Sequence, residues 1–124
     1  MTTLKFTPSH EWIRNEKANE YTLGITDHAQ SLLGDLVYVE LPEPGKNLHA
    51  GDNLAVVESV KTAADVYAPV SGTVTQINQT LQNDPSLVNS DPYKAGWLVK
   101  LSIDSPAELD TLLTEEAYQA SLTD

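Results

Sequence analysis

The residue that the sequence sets up for chemistry is Lys61. It stands near the middle of the longest apolar stretch, Leu54 to Gly72, where runs rich in Val and Ala lie on either side and only Ser59 to Thr62 interrupts them with polar or turn-tolerant residues. That pattern predicts a β-hairpin with strands Leu54 to Ser59 and Ala63 to Tyr67 and the lysine at its tip. Most lysines are solvated surface charges, but Thr62, Ala63 and Ala64 are small and leave this amine approachable by a large enzyme. A primary amine so placed invites one of two reactions: acylation, which turns the side chain into a long tether, or Schiff-base formation with a carbonyl substrate. The second needs a desolvated lysine with a pKa pulled down from about 10.4, and a hairpin tip is a poor place for that.

The other chemistry-bearing residues say less by themselves. Glu11 and Asp65 read as solvated acids on strands, and Glu58 as a charge that keeps the tip in water. His10, His28 and His49 have no metal-ligand spacing with one another, and cysteine is absent, which removes thiolate nucleophiles, disulfides and cysteine metal sites. Gly34, Gly45 and Gly51 are spaced as turn formers and match no phosphate-cradling pattern. Trp12 and Trp97 read as core anchors.

The chain has 124 residues and 40% apolar content, enough for one core but too little for a carrier and a catalytic domain together. Seven basic against eighteen acidic residues give a formal charge of −11, which opposes binding to nucleic acid or anionic membranes and favours a partner with a basic face. No apolar run approaches the roughly 20 residues of a bilayer span, and Met1 to Lys5 lack the pattern of a secretory signal.

The elements that must hold Lys61 follow in order. Glu11 to Arg14 and Tyr21 to Ile25 flank a polar stretch, Asn15 to Glu20, and predict a hairpin with a polar turn. Thr26 caps a helix from Asp27 to Leu33 that Gly34 ends, with Ala29, Leu32 and Leu33 facing the core. Leu36 to Leu41 is a strand stopped by Pro42-Glu43-Pro44-Gly45, and Thr73 to Asn78 alternates as a half-buried strand does. Thr80 to Lys94 has turn composition and predicts an ordered loop that carries Leu81, Leu87 and Val88 inward; Trp97 to Ile103 is the last strand. Ser105-Pro106-Ala107-Glu108 is a helix start, and Thr114 caps a second short helix from Glu115 to Leu122. Mainly β order with peripheral helices predicts a flattened barrel or sandwich.

The segment Glu58 to Gly72, together with Ser9-His10-Glu11-Trp12, Gly24-Ile25-Thr26 through Val39-Glu40-Leu41-Pro42, and Gly96-Trp97-Leu98, resembles the glycine cleavage system H proteins over nearly the whole chain. The resemblance implies a lipoyl/biotinyl-like barrel-sandwich hybrid, a single carrier domain over 1–124 with its hairpin at 54–67 and a helical tail at 105–123. It implies lipoic acid as a covalent cofactor on Lys61, no catalysis by the chain itself, and a shuttle of the methylamine group from glycine decarboxylase to aminomethyltransferase, with dihydrolipoyl dehydrogenase reoxidising the arm. Ser9, Glu11 and Asp65 match the positions that meet the amine of the loaded arm, and Glu58 matches one suited to recognition by a lipoate ligase or lipoyl transferase. A monomer is implied, working in the cytoplasm, or in the mitochondrial matrix had a transit peptide been removed. The motif also suits a lipoate-relay H-like protein. Biotinyl domains place methionine beside the lysine, where this chain has Val60 and Thr62. Lipoyl domains of 2-oxoacid dehydrogenases typically have Asp before the lysine and Ala after it, and continue into linkers and an acyltransferase.

Overall fold

The computed structural model describes residues 4–17, 20–103 and 106–122. Among the described residues nine strands form two antiparallel sheets. The larger runs β1 (Leu4–Phe6), β2 (Glu11–Lys17), β3 (Glu20–Ile25), β9 (Val99–Ile103), β8 (Gly72–Ile77) and β5 (Asn47–Leu48) in that spatial order, and the smaller runs β4 (Leu36–Glu40), β6 (Asn53–Ser59) and β7 (Ala63–Tyr67). Their inner faces supply one core that includes Ile13, Leu23, Val57, Val66, Val74 and Leu101, each at most 2% exposed. The mainly β expectation therefore holds, because alternating residues on both sheets bury one face against the other.

The predicted hairpin forms with Val57 opposite Ala64 and Glu58 opposite Ala63. The helix α1 (Asp27–Leu33) also forms between its predicted bounds: Thr26 Oγ1 accepts from the Ala29 N–H at 3.2 Å, and the Gly34 N–H closes the end on the Gln30 carbonyl at 3.0 Å. Gly34 has φ +86°, the left-handed conformation that glycine adopts without a Cβ penalty. Its burial differs from expectation. Ala29 and Leu33 pack on the core, but Leu32 is 60% exposed, because so short a helix can turn only a narrow stripe inward.

Three other expectations are corrected. Pairing of β2 with β3 runs on through Asn15 with Tyr21 and Lys17 with Glu20, past a register shift; ladder bonds are made by the backbone, so polar side chains do not stop them. The Thr80 to Lys94 stretch holds two single-turn helices, α2 (Thr80–Asn83) and α3 (Leu87–Ser90), which bury Leu81 and Val88 while Leu87 stays half-buried. The last strand starts at Val99, after a half-buried Trp97.

In the tail, Pro106–Thr111 is a 3-10 helix and α4 spans Glu115–Ser121, capped by Thr114 Oγ1 on the Ala117 N–H at 3.2 Å. The predicted Ser105 cap lies outside the described residues, as does the Ala18-Asn19 tip of the expected turn. α4 docks through Tyr118, which is buried and stacked on Phe6 with ring centroids 4.6 Å apart. Trp12 completes this second cluster. Its ring lies flat on Gly24, its register partner, where a Cβ would fall 2.7 Å from the indole.

Candidate functional site

The hairpin tip is a tight, side-chain-assisted turn. The Ser59 N–H donates to the Thr62 carbonyl at 2.7 Å, while Ser59 Oγ accepts from the N–H groups of Lys61 and Thr62, both at 3.1 Å. A serine hydroxyl thus satisfies the turn's own backbone and frees Lys61 from any structural duty. Lys61 is exposed.

The tip does not hang free, because the Val60 N–H donates to the Asp35 carbonyl at 3.1 Å and ties it to the turn between α1 and β4. The lysine side chain crosses Gly34, where a Cβ would stand 3.0 Å from Lys61 Cε. Asn89 of α3 braces this shelf from behind. Its Nδ2 donates to the Gly34 carbonyl at 2.8 Å, and its Oδ1 accepts from the Leu36 N–H at 2.9 Å. Asn89 was not singled out as a site residue from the sequence, where it reads as one more turn former in Asn89-Ser90-Asp91-Pro92.

Beside the hairpin a cleft of about 160 Å³ opens between Ser9 and Glu11, Ala29 and Leu33 of α1, and Ala64 and Asp65 of β7. The three residues aligned by resemblance with the loaded arm thus line one cavity. They are not equivalent. Asp65 is exposed at the mouth, and Ser9 is exposed but turns its hydroxyl inward. Glu11 is only 3% exposed.

Two hydroxyls hold the Glu11 carboxylate: Thr7 Oγ1 donates to Oε1 at 2.5 Å and Ser9 Oγ donates to the same oxygen at 2.6 Å. Among the described residues Oε2 receives the Tyr67 N–H alone, at 3.3 Å. Burial raises the Glu11 pKa above its ordinary value, and the hydroxyl and amide donors pull it part of the way back. The reading of Glu11 as a solvated acid is therefore overturned. Thr7, which no spacing rule marks, engages Oε1 and leaves Oε2 with the longer bond from Tyr67.

The cleft's far wall is held by the tail. The Tyr118 hydroxyl lies 2.8 Å from His10 Nδ1 and 2.6 Å from Thr26 Oγ1. His10 adopts φ +74° and its ring stands 4.7 Å from that of His28; burial, then the neighbouring His28, lowers its pKa. Glu58 is exposed beside the tip, opposite Tyr38 and Ala63 in the ladders.

A small β platform that presents one unencumbered amine at a braced hairpin tip, next to a pocket with a sheltered carboxylate, is built as a carrier of a tethered group. The comparisons with known proteins specify which carrier. Residues 4–124 match the family model described as Glycine cleavage H-protein, and the chain belongs to that family. It is 55% identical over its whole length to the glycine cleavage system H protein of Legionella pneumophila strain Corby, covering 98% of that protein. It is 52% identical over 121 residues to that of Escherichia coli O7:K1, with 98% of this chain and 94% of that protein covered. The crystal structure of a glycine cleavage system H protein from Mycobacterium marinum superposes with a TM-score of 0.86 at 35% identity, over 98% of both chains.

Proposed function

We propose that the chain is the lipoyl carrier of glycine cleavage, with lipoate joined to Lys61 by an amide. Bound there, lipoate would supply a disulfide as the acceptor for the one-carbon amine left by glycine decarboxylation. The residues present suit the group: an exposed amine, a glycine shelf that a Cβ would fill, and a cleft opening along the strand that follows the tip. Ser59 and Asp35 hold the base of the tether still, so the mobile part begins at the lysine side chain. Holding a reactant on a short tether keeps its local concentration high for each partner.

Glu11 and Asp65 are proposed to receive the ammonium of the cargo. Asp65 meets it at the mouth, and Glu11 Oε2, its weakly engaged oxygen, accepts a charge-assisted hydrogen bond inside. Shelter there keeps water from a labile carbon between nitrogen and sulfur. Glu58 is proposed as a contact for the enzyme that attaches the lipoyl group. The partners follow from this reading: the glycine decarboxylase, the aminomethyltransferase and the dihydrolipoyl dehydrogenase, around a monomeric carrier that is not itself catalytic. The named relatives are bacterial, which supports work in the cytoplasm.

The observation that carries the reading is an exposed lysine whose turn is closed without it. Intact-mass measurement after incubation with lipoate, ATP and a lipoate ligase tests it. One lipoyl mass is expected on the wild-type chain and none on Lys61→Arg; an unmodified wild-type chain, or a lipoyl group on another lysine, would refute the assignment.

A further inference from the structure

Among the described residues, five large hydrophobic side chains are exposed: Leu32, Val37, Tyr38, Val60 and Tyr67. Four of them belong to elements that converge on the hairpin tip. Val60 is next to Lys61 and is 68% exposed, the highest of the set. Leu32 stands at the end of α1 just before the Gly34 shelf. Val37 and Tyr38 are adjacent in β4, where ordinary alternation would send one of them inward. The ladder from β4 to β6 slips between Leu36 and Tyr38, and that irregularity leaves both outside, at 56% and 48% exposure. A slipped register that turns two neighbouring apolar residues to solvent is a device for aiming side chains.

The surroundings are acidic. Asp35, Glu40, Glu58 and Asp65 are exposed on the same elements, and between residues 18 and 93 the only basic residues of the sequence besides the two histidines His28 and His49 are Lys46 and Lys61. Acylation would remove the second of these charges.

We propose that Val37, Tyr38 and Val60, with Leu32 behind them, form an apolar collar that docks on the active-site entrance of the glycine decarboxylase, a rim that is apolar at its centre and basic at its edge. The proposal rests on the carrier reading given above. A tether anchored at Lys61 enters a recessed active site only if the tip faces its entrance, so the enzyme must cover the residues around the tip. Apolar contact at the centre supplies the short-range attraction, and the carboxylates speed and orient the encounter. A second copy of the chain is a poor occupant, since two molecules each of charge −11 would bring like charges together.

The test measures binding of the purified glycine decarboxylase to immobilised carrier. The collar variant is Val37→Ser with Tyr38→Ser and Val60→Ser; Leu32 is left in place because it lines the cleft. Affinity is expected to fall by about tenfold or more, the loss of a few buried apolar groups, while the thermal midpoint and the cleft stay as they were. Asp35→Asn with Glu40→Gln is expected to weaken binding at low salt and flatten its salt dependence. Lys61→Arg, which cannot be acylated, is expected to bind within a few-fold of unmodified wild type. Collar-variant binding at wild-type strength would overturn the proposal, and so would collar-dependent self-association in sedimentation with no effect on the enzyme. A wild-type chain that binds through its collar but never takes up lipoate would instead refute the carrier reading and leave the docking surface standing.

Discussion

Thr7 Oγ1 makes two hydrogen bonds to one residue: it accepts from the Glu11 N–H at 2.9 Å and donates to Glu11 Oε1 at 2.5 Å. The hydroxyl therefore clamps both the backbone and the carboxylate of the sheltered acid.

The clamp predicts a pH dependence. The Glu11 carboxyl titrates above its ordinary value of 4.5 in the folded chain, so the folded state holds that proton more tightly than the unfolded one. Its stabilising contribution is fully present below pH 4.5 and is lost as pH rises through the raised value. Thr7→Val removes a donor that lowers this pKa, so it should steepen the loss of stability with rising pH and cost about 1–3 kcal/mol near neutrality. Thr7→Ser should restore most of both. Urea unfolding at several pH values checks this, and identical pH profiles for the valine variant and wild type would refute the clamp.

His10 predicts an opposite limb. Its pKa is lowered from 6.5 by burial and then by His28, so the unfolded chain takes up that proton first and stability falls as pH drops through 6.5 toward the depressed value. His28→Ala removes the second cause. The His10 ring proton resonance should then titrate closer to 6.5, and the acid limb of the stability profile should become shallower. A titration unmoved by the substitution would show that the pair does not interact.

One hydroxyl of the tail, that of Tyr118, reaches both His10 and Thr26. Tyr118→Phe keeps the stack on Phe6 but removes the oxygen shared with His10 and Thr26. The buried Thr26 and the half-buried His10 lose a bond each, which should cost about 1–3 kcal/mol and lower the thermal midpoint by several degrees. Because Thr26 also caps α1, amide exchange should quicken in α1 as well as α4. Exchange confined to α4 would show that the network does not couple the two.

The contrast between what was and was not legible in the sequence has a physical basis. The Lys61 hairpin, the Thr26 and Thr114 caps and the Gly34 stop are local devices, each satisfied within a few residues, so composition and spacing expose them. Thr7 with Glu11, Asn89 under Gly34 and Tyr118 on Thr26 join groups that backbone periodicity does not relate, and two of the three span more than fifty positions. The burial of Glu11 was hidden for the same reason: it is the first residue of the inner strand β2, and residues of α1 and β7, from elsewhere in the chain, close the cleft around it. Both carboxylates that the resemblance singled out line the cleft, and geometry distinguishes the buried acid from the exposed one.

That difference yields a separable pair of effects on the cargo. Glu11→Gln with Asp65→Asn removes both negative charges facing the proposed ammonium while keeping shape. Lipoylation of Lys61 should proceed as in wild type, because the tip, its serine turn and the Gly34 shelf are untouched. Release of the one-carbon unit to solvent, followed by mass spectrometry of the loaded carrier, should quicken by about tenfold or more if each charge-assisted bond is worth the usual 1.5–3 kcal/mol and only part is expressed. The single variants should divide unequally. Asp65 works in water, where a pair contributes roughly 0–1 kcal/mol, so Asp65→Asn should change the lifetime little, while Glu11→Gln should carry most of the loss. Equal effects of the two singles would mean that the ammonium stops at the mouth, and an unchanged lifetime in the double variant would remove both residues from the role.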